Sequence, residues 1–350
     1  MGDEGGAWCL GRLAPAWQRV AIVGVAKNSG KTTTLGAVLA ASRVREAIGL
    51  VSIGVDGEEH DLVIGTAKPA IWVEPGDWVA TAAGAASSAG IEYVEGLGWS
   101  TPIGEAVVGR VREPGKVMLA GMRHLDDVRT ACDRLIHHGA ERVIIDGAYG
   151  RISGADAADA LIVSTGAVIA PEIEAIVEQT VALTERVCLP RAGDEASRAL
   201  IEEAIGRDRA LIGVVAEGGN LQEVRELASA SALIGLGRSR DRWEGAHMIA
   251  IPGAVTDRVI EELMALGSHD EVHTLIVPSG AHLHASSLHM ARLGKRGWRV
   301  LAARSPVLVT ISANPTSPQG DRVDGQALCA ALRERVGEAV SVVDPVADME

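Results

Sequence analysis

The chain has 350 residues, 47% of them apolar and 23% charged, with a mean hydropathy of +0.17. At roughly 150 residues per domain this predicts about two globular domains, and it excludes a disordered tail or a disulfide miniprotein. A net charge of −13 and a pI of about 5.3 argue against nucleic acid as a partner, since that affinity rests on clustered Lys and Arg.

No apolar run reaches the ~18–20 residues of a membrane helix. The opening stretch MGDEGGAWCLGRLAPAWQRV has no basic start and no continuous apolar run. The expectation is therefore no signal peptide, no membrane partner and a cytoplasmic location. Cys9, Cys132, Cys188 and Cys329 are far apart and form no CxxC, which predicts free thiols in a reducing compartment. Phe is absent, and 5 lysines stand against 28 arginines. Two of those lysines, Lys27 and Lys31, share one short glycine-flanked loop.

In chain order, Arg19–Gly24 (RVAIVG) reads as a buried strand, Thr32–Val44 as a helix and Gly49–Val55 as a second buried strand. Residues 66–121 then turn β-rich, with candidate strands at Ala70–Val73, Trp78–Ala80, Ala106–Arg112 and Lys116–Ala120. Val111–Val117 reads as a hairpin turning on Pro114-Gly115. This segment is expected to be a β insertion, with ordinary edge strands as the alternative. The strands bracketing it should pair without it. Asp126–His138 follows as a helix, Arg142–Asp146 as a strand, Leu161–Ser164 as a short strand and Glu172–Val187 as a helix.

Beyond Arg191 the alternation resumes. Strands are expected at Ala210–Val215, His247–Ile251, Thr274–Val277, Val300–Ala303, Val307–Ile311 and Val340–Val343. Helices are expected at Val255–Leu266, Leu288–Arg296 and Gly325–Val336. The predicted class is α/β: a P-loop NTPase-like, mostly parallel sheet in a nucleotide-binding domain over 1–190, then a C-terminal α/β region over 191–350. That second region either continues the first sheet or forms its own.

Chemistry concentrates where the first strand ends. Gly24-Val25-Ala26-Lys27-Asn28-Ser29-Gly30-Lys31-Thr32-Thr33 opens a helix, and a helix N-terminus offers free N–H groups and a positive dipole end to phosphate. Lys31 then reaches the β/γ-phosphates and the Thr32 hydroxyl ligates Mg²⁺. The spacing is G-x5-GK-T, one residue longer than the usual loop. Gly24, Lys27, Asn28, Ser29, Gly30, Lys31, Thr32 and Thr33 are the expected contacts to ATP. Asp56 and Asp146 follow the second and third strands of the predicted sheet, on the edge where ligands of such sheets bind. A carboxylate there holds Mg²⁺ or orients water. Lys31, Asp56 and Asp146 are thus the candidate catalytic residues, and Thr32, Asp56 and Asp146 the candidate metal ligands. The ten histidines show no HExxH or similar spacing, so a protein-held transition-metal site is not expected.

The longer loop resembles the dethiobiotin-synthetase and MobB-like branch of P-loop proteins. In such folds an Asn after a late strand reads the purine base. That resemblance makes Asn314 a nucleotide contact, against the alternative of a plain Asn-Pro turn. A wider series of blocks stands in order: VGVAKNSGKTTT, VSIGVDGEEHDLVIGTAKPAIWVEPGDWVATAAGA, STPIGEAVVGRVREPGKVMLAG, ERVIIDGAYGR, ALIVSTGAV and ISANPTSPQG. Together they resemble the P-loop subunit of the lysine 5,6-aminomutase reactivase family, with a weak match between about 190 and 300. The resemblance implies ATP- and Mg²⁺-dependent repair of a cobalamin-dependent lysine 5,6-aminomutase, acting with a MutS-like ATPase partner. It leaves a homodimer open. Two other readings stand beside it: an ATP-dependent ligase of dethiobiotin-synthetase type, which needs a basic small-substrate site near Asp56, and a MobB-like nucleotide-binding adaptor.

Overall fold

The computed structural model describes residues 16–43, 46–53, 70–85, 87–101, 103–122, 124–147, 152–216, 218–227, 245–265 and 274–347. It divides the chain into a first unit, Met1–Thr184 with Pro306–Glu350, and a second, Glu185–Ser305. The first unit runs β1 (Arg19–Gly24), α1 (Lys31–Ser42), β2 (Ile48–Ser52), β3 (Ile71–Val73), β4 (Trp78–Ala82), β5 (Gly90–Thr101), β6 (Gly104–Glu113), β7 (Gly115–Val117), α2 (Leu125–His137), β8 (Arg142–Asp146), β9 (Ala160–Gly166) and α3 (Ile173–Val187), whose residues from Glu185 onward belong to the second unit. The second unit continues with α4 (Glu195–Arg207), β10 (Leu211–Val215), β11 (Leu221–Glu226), β12 (Met248–Ala250), α5 (Asp257–Ala265), β13 (Thr274–Val277), α6 (Ser287–Lys295) and β14 (Arg299–Ala302). The chain then returns to the first unit with β15 (Val307–Asn314), α7 (Gly325–Val336) and β16 (Ser341–Val343).

The nine-stranded sheet of the first unit has the order β16-β15-β9-β1-β8-β2-β4-β6-β5. Pairing is parallel from β16 through β4 and antiparallel at β4–β6 and β6–β5. β1 sits in the middle because its run Val20-Ala21-Ile22-Val23 has no polar face to give to water, and all four residues are buried. After β1 the chain builds β2 and β8 on one side and β9, β15 and β16 on the other. β1 is therefore a topological switch point, the place where open α/β sheets hold ligands.

The β-rich segment is not a separable insertion. β4 pairs in parallel with β2, and its five residues are all buried. Ile71, Val73, Val79, Val111, Val117 and Leu119 share one core cluster with Val20, Ile22 and Leu35. The expected direct pairing of β2 with β8 is present, but the segment closes the other side of β2. The Pro114-Gly115 hairpin does not form either. β7 pairs with β3, and Ser88 N–H donates to Lys116 O at 2.8 Å, so the chain leaves β6 for a second, two-stranded ribbon.

The second unit has its own sheet, β11-β10-β12-β13-β14. β12, β13 and β14 are parallel, and β10 runs antiparallel to both of its neighbours. Region 191–350 thus does both things left open by the sequence: it builds a new sheet, and residues 306–350 extend the first one. Among the described residues the fold is mixed α/β with seven helices, and no helix is long and apolar enough to cross a membrane.

Candidate functional site

The loop between β1 and α1 lies at the C-terminal end of the central strand. Two left-handed residues fold it back on itself, Asn28 at φ 64° and Gly30 at φ 93°. Gly30 is the N-cap of α1 and supplies no side chain, so the first turn has no side-chain cap. A Cβ at Gly30 would also lie 2.8 Å from Asn314 Nδ2, so glycine is required there twice over.

Neighbouring strands hold the loop from beneath. Val25 N–H donates to Ser164 O at 2.9 Å, and Ser164 Oγ donates to Ser29 O at 2.7 Å. Thr34 Oγ1 donates to Gly30 O at 3.1 Å, and a second hydrogen bond joins it to the Ser312 hydroxyl at 2.7 Å. Ser164 lies on β9 and Ser312 on β15. Neither is among the residues the sequence singles out: each strand carries other hydroxyls, Thr165 on β9 and Thr310 on β15, so the pattern alone does not mark them.

Lys31 opens α1 and reaches across to the end of β8. Its Nζ donates to Asp146 Oδ1 at 2.6 Å and to Gly147 O. The side chains are 24% and 15% exposed, so the pair is shielded yet reachable from solvent. Lys27, Asn28, Thr32 and Thr33 are exposed on the same loop and first turn. Ser29 is 1% exposed, and its Oγ is a buried hydroxyl without a hydrogen-bond partner. It lies 2.7 Å from where a Cβ on Gly24 would stand, under the loop.

Asn314 stands at the rim. Its Oδ1 accepts from Thr316 N–H at 3.1 Å and its main-chain oxygen from Ala167 N–H at 3.0 Å. The Asn-Pro turn is thus present, with the side-chain amide against Gly30. The structure brings Gly24, Lys27–Thr33, Asp146 and Asn314 to one strand edge. Asp56 lies outside the described residues. Among the described residues no group of three or more His, Cys, Asp or Glu side chains is placed to hold a metal ion. An ion here would rest on one carboxylate, one hydroxyl and its ligand's own oxygens, a donor set suited to Mg²⁺.

The arrangement can present main-chain N–H groups, an ammonium, a hydroxyl and a carboxylate to a polyanion with a hard cation. The chain matches no family model, no curated protein and no solved structure to a significant degree.

Proposed function

We propose that the chain is a P-loop NTPase-like protein that binds ATP with Mg²⁺ and uses it to reactivate a cobalamin-dependent lysine 5,6-aminomutase alongside a MutS-like ATPase. The observation that carries the nucleotide reading is the Lys31–Asp146 pair, 2.6 Å apart at the N-terminus of α1 and at the switch point of a parallel sheet. The client reading rests on the ordered sequence blocks.

ATP with Mg²⁺ supplies a transferable phosphoryl group and the free energy of its transfer. Lys31 would hold the β/γ-phosphates, Thr32 the metal, and Asp146, with Asp56, the metal's water shell. Lys31 and Asp146 neutralise each other in the structure. A ligand that takes Lys31 alone leaves Asp146 without a counter-charge, so the phosphates and the cation should bind as a unit. Asn314 contributes packing on Gly30 and a rim against which a base can lie.

The test is a repair assay. The mutase is inactivated by turnover, then given this chain, the ATPase partner, Mg-ATP and fresh adenosylcobalamin. Recovery that disappears with Lys31→Ala is expected. Full recovery without this chain or without ATP would overturn the client reading. ATP turnover that requires a small carboxylate metabolite would replace it with the ligase.

A further inference from the structure

The second unit ends its parallel strands on basic residues that form no ion pair among the described residues. β13 runs into Pro278-Ser279-Gly280-Ala281-His282, and β14 into Ala303-Arg304-Ser305. Main-chain bonds lock these turns together: Ala303 N–H to Val277 O at 2.9 Å, Arg304 N–H to Pro278 O at 3.0 Å, Val255 N–H to His282 O and His284 N–H to Val255 O, both 2.8 Å. Arg186 and Val187, which open the second unit at the close of α3, abut the same turns. A Cβ on Gly280 would collide with the Arg186 carbonyl oxygen, and Ser305 Oγ donates to Val187 O at 3.4 Å.

Arg207, Arg209, Arg225 and Arg258 of this unit each face a glutamate. Among the described residues, no acid pairs with Arg186, His282, His284 or Arg304. Arg186 Nε is buried with no partner, and burial pulls the guanidinium below its usual value. His282 keeps Nδ1 on Ser279 Oγ at 3.0 Å, which leaves Nε2 for a ligand. Burial first, then the charges of His284 and Arg304, hold His282 below the usual imidazole value. Each of these costs falls when an anion arrives.

We propose that the second unit carries its own anion site at the C-terminal edge of β13 and β14, with Arg186, His282, His284 and Arg304 as donors and a phosphate-bearing small molecule as ligand. A guanidinium fork and imidazoles from different turns suit a tetrahedral dianion with several acceptor oxygens. The edge is the usual ligand position of a parallel sheet. The proposal is independent of the reading of the β1–α1 loop.

The experiment titrates the full chain with inorganic phosphate at fixed ionic strength and follows the histidine ring resonances by NMR. The expected result is a saturable shift of the His282 and His284 rings with a dissociation constant of about 1 mM or tighter. Lys31→Ala should leave it unchanged. Arg304→Gln, at an exposed position, should weaken it at least about tenfold with an unchanged thermal transition. Arg186→Gln should weaken it likewise. Tighter binding of adenosine monophosphate than of inorganic phosphate assigns an esterified ligand; equal binding assigns free phosphate. No saturable shift, an equal shift with chloride, or a shift abolished by Lys31→Ala and untouched by Arg304→Gln would overturn the proposal.

Discussion

At the edge of the first unit's sheet, Lys31 and Asp146 meet as a cation and an acid. At the corresponding edge of the second unit, His282 lies near His284 and Arg304, and among the described residues no acid pairs with them or with Arg186. Both edges come from the same device, parallel strands whose ends open on turns. The difference lies in what compensates the charge. A self-neutralised edge favours a ligand that brings both signs, such as a polyphosphate with its cation, whereas an uncompensated basic edge favours a bare anion.

The largest expected effects come from breaking each edge's backbone. A Cβ at Gly166 would collide with the Asn314 carbonyl oxygen, and one at Gly280 with that of Arg186. Gly166→Ala and Gly280→Ala should each cost about 3–5 kcal/mol, read by denaturant unfolding, the first in the first unit's transition and the second in the other's. Losses below about 1 kcal/mol would mean these turns can shift, and the distances drawn from them would lose their force.

A change far from the loop separates the units. Arg43, at the end of α1, donates from Nη2 to Asp77 Oδ2 at 2.7 Å, and the two side chains are 15% and 5% exposed. Asp77→Ala should cost about 1–3 kcal/mol in the first unit and leave the second unit's transition in place, since it takes from Arg43 its buried partner, leaving Trp72 O and Glu74, and from Glu74 N–H its acceptor. A loss shared equally by both transitions would contradict a role confined to the first unit.

Removing the charges themselves should matter less for stability. Discounted for solvent, Asp146→Asn should cost about 1 kcal/mol, while Arg304→Gln, exposed and unpaired, should stay within about 0.5 kcal/mol of wild type. If Arg304→Gln proved as costly as Asp146→Asn, the claimed contrast in compensation would fail.

The smallest effect is one of pH. Glu95 on β5 is held below the ordinary carboxylate value by its hydrogen bonds from Arg134 and then from His138. A depressed folded pKa gives stability that is present above the unfolded value, near 4.5, and lost as pH falls through the folded one. Thermal midpoints should therefore favour wild type over Glu95→Gln at pH 7 and converge as the pH drops below about 4.5. A gap that persisted in acid would assign the difference to packing.

Much of the first unit's core is legible because its signals are local. β1 and β8 match the expected strands residue for residue, since each is a continuous apolar run ended by a glycine turn or an acid. The glycine-bearing turn between β1 and α1 is legible for the same reason. β5 is not expected from the sequence: Gly90, Gly96 and Gly98 and its exposed acids weaken the strand pattern, and only pairing with β6 makes it one. Pro114-Gly115 announces a turn without saying which strand comes next as partner. The return of β15 to β9 spans the whole second unit, a pairing no local window contains. At the site, Lys31 and Asp146 are readable from motif and strand end, whereas the buttressing hydroxyls of Ser164 and Ser312 emerge only once β9 and β15 flank the loop.

Whether the β1–α1 loop binds a metal–nucleotide unit through Lys31 and Asp146 is read by isothermal titration of the full chain with ATP, with and without Mg²⁺. Tight binding that depends on Mg²⁺ is expected, lost in Lys31→Ala and, in Asp146→Asn, losing mainly its Mg²⁺ dependence. Unchanged affinity in Lys31→Ala would contradict it.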